Sequence, residues 1–238
     1  MFPKIYCFFF IFPFVSYAQE AVENLDFLYP KTNVVIEYQD DWGKNNYKKV
    51  IEEFKMKPLK FNDIIFLGNS ITAEGKDWSQ RLNYPNVRNR GIGGDVTDGV
   101  LARLAEITYF KPKAIFLLIR INDLWNNAPS VPTPEYIGNN IVKITEAIHS
   151  DSPKTKIYVQ TVLPSGKELY IDRINTVNRI VKANSILKNF KVIDLHSVFV
   201  NEKGLMREDL TTDGIHLNEK GYRTWTEFIK PTVHKLGG

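Results

Sequence analysis

Short, almost wholly apolar runs alternate along this chain with longer stretches in which apolar residues return every three or four positions. The runs at 64–67, 114–119, 157–162 and 192–195 are continuous rather than alternating, which is the pattern of strands buried on both faces. Residues 87–91 form a weaker fifth candidate. Between the runs, residues 96–107, 134–149, 170–187 and 219–234 carry the spacing of amphipathic helices, and a lysine-rich stretch at 47–57 reads as one more. Strands that alternate with helices imply right-handed crossovers and a sheet covered on both sides. The expected fold is therefore an α/β three-layer sandwich on a five-stranded parallel sheet. Ligands on such sheets bind beyond the carboxyl ends of the strands. Ser70 follows the first strand, Gly94 the second and Asn122 the third, so all three are expected at one edge.

The 238 residues, 43% hydrophobic and 24% charged, suit one globular domain with a full core. Residues 1–18 stand apart: Lys4, an apolar run over 5–15 and then Ser16-Tyr17-Ala18 read as a signal peptide cleaved before Gln19. The run is shorter than the roughly 20 apolar residues of a membrane span, and Pro13 interrupts it. The expectation is a secreted or periplasmic protein with no stable membrane span after cleavage. Residues 19–60 then form a polar, aromatic lead-in packed on the domain, and 61–238 the domain itself. The one cysteine, Cys7, falls in the leader, so the mature chain is expected to hold together through its core without disulfides. Without Lys4, 30 basic residues face 27 acidic ones, too mild a surplus for nucleic-acid binding.

The chemistry concentrates at two places far apart in the sequence. Ile64-Ile-Phe-Leu-Gly-Asn-Ser70 runs from a buried strand straight into a turn, which leaves a serine at the strand end. Asp213-Gly-Ile-His216 sets a carboxylate and an imidazole three residues apart ahead of the last helix. A serine hydroxyl is a weak nucleophile until a base takes its proton, and that base needs a group to fix its tautomer. Attack on an ester creates an oxyanion, for which a glycine N–H (Gly94) and an asparagine amide (Asn122) are suitable donors. Asp213-x-x-His216 also has the spacing of a helix cap, given the helical pattern from Glu219. Gly91, Gly93 and Gly94 do not make a dinucleotide loop, because the last glycine of Gly-x-Gly-x-x-Gly would fall at Val96. No nucleotide cofactor is expected, and no histidine-carboxylate cluster has metal-ligand spacing. Asp95 and Asp123, each beside an oxyanion candidate, are expected to hold their loops by hydrogen bonds.

Four blocks in order carry a resemblance: Gly68-Asn69-Ser70-Ile71, Gly91-Ile92-Gly93-Gly94-Asp95, Asn122-Asp123 and Asp213-Gly214-Ile215-His216-Leu217. Together they resemble the SGNH, or GDSL-type, serine hydrolases. The second and fourth are similar to the branch containing platelet-activating-factor acetylhydrolase catalytic subunits and bacterial carbohydrate and sialate O-acetylesterases. The resemblance runs from Asp63 to Tyr222. It implies Ser70 as nucleophile, His216 as base and then acid, and Asp213 as its orienting carboxylate. It also implies an oxyanion hole of the Ser70 N–H, the Gly94 N–H and the Asn122 side chain.

Two positions depart from the family pattern. Asn69 replaces the usual aspartate and keeps a turn-forming side chain. Arg120 stands where the family usually has glycine. Its guanidinium reads an anionic substrate, points away, or crowds the oxyanion site, and the residues alone leave these three open. Trp125 is a candidate for stacking on a sugar ring. The implied function is a cofactor-free esterase that removes short acyl groups, acetyl foremost, from a carbohydrate. A lipase or lysophospholipase is the alternative within the enzyme class, and a non-catalytic glycan-binding protein, its oxyanion hole spoiled by Arg120, is the alternative outside it.

Overall fold

The computed structural model of the protein describes residues 25–119, 121–125, 131–186 and 189–237. The leader expected at 1–18 and Arg120 lie outside the described residues. One parallel sheet holds β1 (Ile64–Gly68), β2 (Val87–Gly91), β3 (Ala114–Leu118), β4 (Lys156–Gln160) and β5 (Lys191–Ile193), in the order β2-β1-β3-β4-β5. Up to β3 the helices are α1 (Asp41–Met56), α2 (Ser70–Ala73), α3 (Trp78–Leu82), α4 (Thr97–Ala102) and α5 (Leu104–Tyr109). After it come α6 (Ile121–Trp125), α7 (Pro134–Asp151), α8 (Ile171–Ser185), α9 (His196–Phe199) and α10 (Glu219–His234).

The two-residue period of a strand sends neighbouring side chains to opposite faces, so each central strand feeds two cores. Ile65 and Leu67 of β1 join Ile115 and Leu117 of β3 under α1, α4, α5, α7 and α8. Ile64 and Phe66 point the other way, with Phe116, onto α2, α3, α9 and α10. On that second face the parallel register sets Phe66, Phe116 and Tyr158 level. Their rings stack at 5.0 and 4.9 Å between centroids, and Trp78 continues the stack on Phe66 at 4.2 Å. This is the three-layer sandwich expected from the pattern of apolar runs.

Local differences have local causes. The helix expected over 96–107 is two helices that meet at Arg103 (φ −118°, ψ 23°), whose guanidinium is drawn inward by Asp95 and the Gly68 carbonyl. The α1 helix starts at Asp41, ahead of residue 47, because Asp40 caps it, its Oδ1 accepting the Gly43 N–H at 2.7 Å. The helix expected over 170–187 opens as a 3-10 turn, Glu168–Tyr170, and is α-helical from Ile171; Leu187 lies outside the described residues. At the sheet edge β5 is not buried on both faces, and it stops at Ile193. There Asp194 leaves the ladder to accept the Thr161 hydroxyl at 2.9 Å and the Lys182 ammonium at 2.7 Å.

The register places the site. Gly68 of β1 is level with Gly91 of β2 and Leu118 of β3, so the three strands end together. Every residue that follows within a few positions is delivered to the same edge.

Candidate active site

Ser70 opens α2 directly after β1. Gly68 allows this tight passage, since a Cβ there would run into the Leu118 carbonyl and the Thr72 hydroxyl. Asn69 caps the helix, its side-chain oxygen accepting the Ile71 N–H at 3.3 Å. Asparagine therefore does the turn-forming work that aspartate would do at this position. The Ser70 N–H, at the first position of a helix, has no partner within that helix. Outside it, Asn89 of β2 donates to the Thr72, Ala73 and Lys76 carbonyls at 3.0–3.1 Å, and the Tyr222 hydroxyl donates to Ile71 O at 2.8 Å. The short helix is fixed from both sides.

The loop ahead of α10 brings the imidazole. His216 Nε2 lies 3.2 Å from Ser70 Oγ, and His216 Nδ1 lies 2.7 Å from Asp213 Oδ2. The other oxygen of Asp213 accepts the Ile215 and His216 backbone N–H groups at 2.9 and 2.8 Å. Partial burial works to raise the Asp213 carboxyl, but the hydrogen bonds from the His216 ring and from those two N–H groups outweigh it, and the group sits below the ordinary carboxylate range. Asp213 does not cap the last helix. Asn218 does, accepting the Gly221 N–H at 2.9 Å.

Gly94 and Asn122 line the same cleft as Ser70 and His216. Gly94 has φ +77°, in the left-handed region that glycine adopts without cost. Asn122 Nδ2 donates to the Asp95 carbonyl at 2.8 Å, which commits one amide N–H and fixes the plane of the group. Beneath it, Asp95 and Asp123 are fully buried. Arg103 grips Asp95 Oδ2 through Nε at 3.0 Å and Nη2 at 2.9 Å, and Nη2 also donates to Gly68 O at 3.1 Å. Burial pushes the Asp95 carboxyl up and Arg103 pulls it back, leaving it at about 6. Asp123 accepts the Thr97 hydroxyl at 2.6 Å and the Thr97 N–H at 3.0 Å. Both aspartates hold loops by hydrogen bonds, the role expected of them.

The cleft encloses about 720 Å³, and one of its walls was not foreseen. Helix α1 presents Trp42, Asn46, Val50 and Phe54 to it. Asn46 donates to Gly93 O at 2.9 Å and Gln39 to Gly94 O at 3.4 Å, which clamps the lead-in segment onto the glycine loop. Arg103 and Glu74 were missed as well. Arg103 had a signal: it sits at the spacing of Val96, Val100 and Ile107, and a charge on an apolar stripe calls for a buried partner. Trp125 ends α6, and its side chain, like Arg120, lies outside the described residues.

A hydroxyl, an imidazole and a carboxylate in one hydrogen-bonded chain, at the carboxyl edge of a parallel sheet, make up a site of the serine-hydrolase kind. Residues 66–224 match the GDSL-like Lipase/Acylhydrolase family, and the chain belongs to it; by that membership it is a carboxylic ester hydrolase. Curated proteins yield no match to this chain. Among solved structures it is similar to a Streptococcus pneumonia protein provisionally described as a platelet activating factor: 23% identity, 81% of this chain and 95% of that one, TM-score 0.70. A GDSL-like lipase from Bacteroides thetaiotaomicron is similar at 21% identity over 80% and 98% of the two chains, TM-score 0.68. An acetylxylan esterase from Geobacillus stearothermophilus is similar at 20% identity over 77% and 97%, TM-score 0.60. At these identities the likeness is one of fold. No helix among the described residues is long and apolar enough to cross a membrane.

Proposed function

We propose that the protein is an exported serine esterase that removes short acyl groups, acetyl foremost, from carbohydrate. The observation that carries this reading is the continuous chain from Ser70 Oγ through His216 at 3.2 Å to Asp213 at 2.7 Å. His216 Nε2 takes the Ser70 proton as the oxygen attacks the ester carbonyl, and Asp213 holds the ring in the tautomer with its proton on Nδ1. The oxyanion of the tetrahedral intermediate is met by the Ser70 and Gly94 N–H groups and by the second N–H of Asn122. One such donor is worth about 10²–10³ in rate. Collapse of the intermediate expels the alcohol, which leaves with the proton from His216. Water, activated by the same imidazole, then frees the acid from Ser70. No cofactor enters these steps.

Carbohydrate as acceptor draws on the acetylxylan esterase among the structural neighbours and on export by the leader at 1–18, which would carry the enzyme to extracellular glycans. The test is p-nitrophenol release from the acetate ester by wild type and Ser70→Ala, with at least about a 10³-fold loss expected in the variant. Equal rates would sink the reading. A higher rate on octanoate than on acetate would move it to the lipase alternative. Activity in the exported fraction, on a chain beginning near Gln19, is the matching expectation for the leader; a retained chain that keeps residues 1–18 overturns it.

A further inference from the structure

The chain carries a basic surplus overall, with 31 Lys and Arg against 27 Asp and Glu, yet the described lining of its cleft has the opposite sign. Asp40, Glu53 and Glu74 line it, and no lysine or arginine stands among the described lining residues. Asp40 and Glu53 come from the α1 wall, and Glu74 follows Ser70 by one helical turn. Glu74 Oε1 lies 3.8 Å from His216 Nε2, on the side where the leaving alcohol must take up its proton. Arg81, whose Nε donates to the Gly75 carbonyl beside Glu74 at 2.6 Å, is paired on both Nη groups with Glu219. Lys49, 3.9 Å from Glu53 and exposed, takes up part of that carboxylate's charge, which leaves Asp40 and Glu74 as the main sources of the field. Arg90, stacked under Phe54 at 4.4 Å, is already neutralised by Glu106. The wall also supplies a flat apolar surface: the Trp42 indole, 62% exposed, lies against the Gly93-Gly94 turn.

We propose that α1 and Glu74 make this cleft an electrostatic filter, so that the enzyme takes acyl esters of uncharged or cationic acceptors and rejects those whose acceptor carries a carboxylate or a phosphate. This rests on the esterase reading above and narrows its substrate class to neutral or amino sugars, against uronates, sialates and phospholipids. The carboxylates do not define a site of their own. They surround one that already holds the nucleophile, and they act on what approaches it. A unit charge on the acceptor, held ~7 Å from a carboxylate in a partly solvated cleft, changes the rate roughly several-fold to tenfold. Salt weakens the effect, because the screening length is about 10 Å at 0.1 M.

The experiment compares kcat/KM for 4-acetoxybenzoate with that for its methyl ester, each corrected for its hydroxide-catalysed rate, at low and high NaCl. Wild type is expected to favour the neutral ester by about tenfold at low salt, and the gap should narrow as salt rises. Glu53→Lys and Glu74→Gln should each shrink it several-fold; Glu53 stands on α1 and not on the Ser70 helix, so its variant leaves the Glu74–His216 contact in place. Equal rates on the two esters at low salt, or a gap that neither salt nor the variants alter, overturns the filter while leaving the esterase standing. Failure of both esters to react above the Ser70→Ala level overturns the esterase reading and the filter with it.

Discussion

At Asp213 two hydrogen-bonding tasks meet on one side chain. Oδ1 accepts two backbone N–H groups and Oδ2 faces His216 Nδ1. In Asp213→Asn the two N–H donors hold the amide oxygen in the Oδ1 place, so the NH2 group must face Nδ1. The ring is then driven to carry its proton on Nε2, where it cannot accept one from Ser70. The expected result is a fall in kcat of about 10³-fold or more with little change in Tm, because Asp213 is half-exposed. A kcat within a few-fold of wild type would break the link between this carboxylate and the imidazole. Asp123 offers a pH signature of a different kind. Burial pushes its carboxyl up to about 7 against the Thr97 hydrogen bonds, with the charges of Asp98 and Asp95 adding to the rise. An unfolded aspartate titrates at about 3.9, so this residue's contribution to stability is whole below about pH 4 and is lost as pH climbs towards 7. An amide in its place cannot ionise. The Tm of Asp123→Asn, measured against wild type, should therefore gain ground across that window and level off above it; a difference independent of pH would rule the titration out.

Among the elements, the contact of α1 with the glycine loop decides the shape of the site. Gly94 at φ +77° lies so close to α1 that a Cβ would stand 2.8 Å from Gly43 Cα and 2.8 Å from the Trp42 ring. Gly94→Ala thus meets strain of about 1–3 kcal/mol from its backbone alone, and must displace either the loop or the helix. Loss of a donor's alignment lowers kcat by about 10²–10³-fold, and that is the expected outcome, with a Tm drop of only a few degrees. Full activity would show that the Gly94 N–H is not aimed at the reacting oxygen. Much of this level was legible in the chain itself. Runs such as Ile64-Ile-Phe-Leu are apolar at every position because both cores need them, and strand ends then give the edge on which Ser70, Gly94 and Asn122 meet. The α1 wall was not legible. Its contacts, Asn46 to Gly93 O and Gln39 to Gly94 O, join residues about fifty positions apart through backbone carbonyls, which leave no mark on local periodicity. The break at Arg103 was hidden for a related reason: helical spacing continues across it, and the buried partners that draw Arg103 inward, Asp95 and the Gly68 carbonyl, leave no mark on that spacing.

For the molecule as a whole, the site depends on how firmly the residues ahead of β1 are fastened to the sheet, and a single buried carboxylate does much of that. Glu106 of α5 accepts Arg90 Nη2 at 2.7 Å and Nε at 3.0 Å, the Tyr29 hydroxyl at 3.0 Å and the Leu59 N–H at 3.1 Å. Arg90 in turn donates to Lys57 O at 2.8 Å and supports the Phe54 ring of α1. Both ends of the lead-in thus converge on one ion pair, only 3–5% exposed. Removing one partner of such a pair leaves the other buried and uncompensated, at about 3–5 kcal/mol. Lys182 and Asp194, paired at 2.7 Å but nearly half exposed, are the contrast, since breaking a surface pair costs less than about 1 kcal/mol. Urea denaturation should show a loss of about 3–5 kcal/mol for Glu106→Ala and under about 1 kcal/mol for Lys182→Ala. Because the loosened α1 carries Trp42 and Asn46, the Glu106 variant should also raise KM more than it lowers kcat, at temperatures where it remains folded. Similar small losses in the two variants would mean that the lead-in is held by its apolar contacts alone, and that the wall of the cleft owes nothing to this pair.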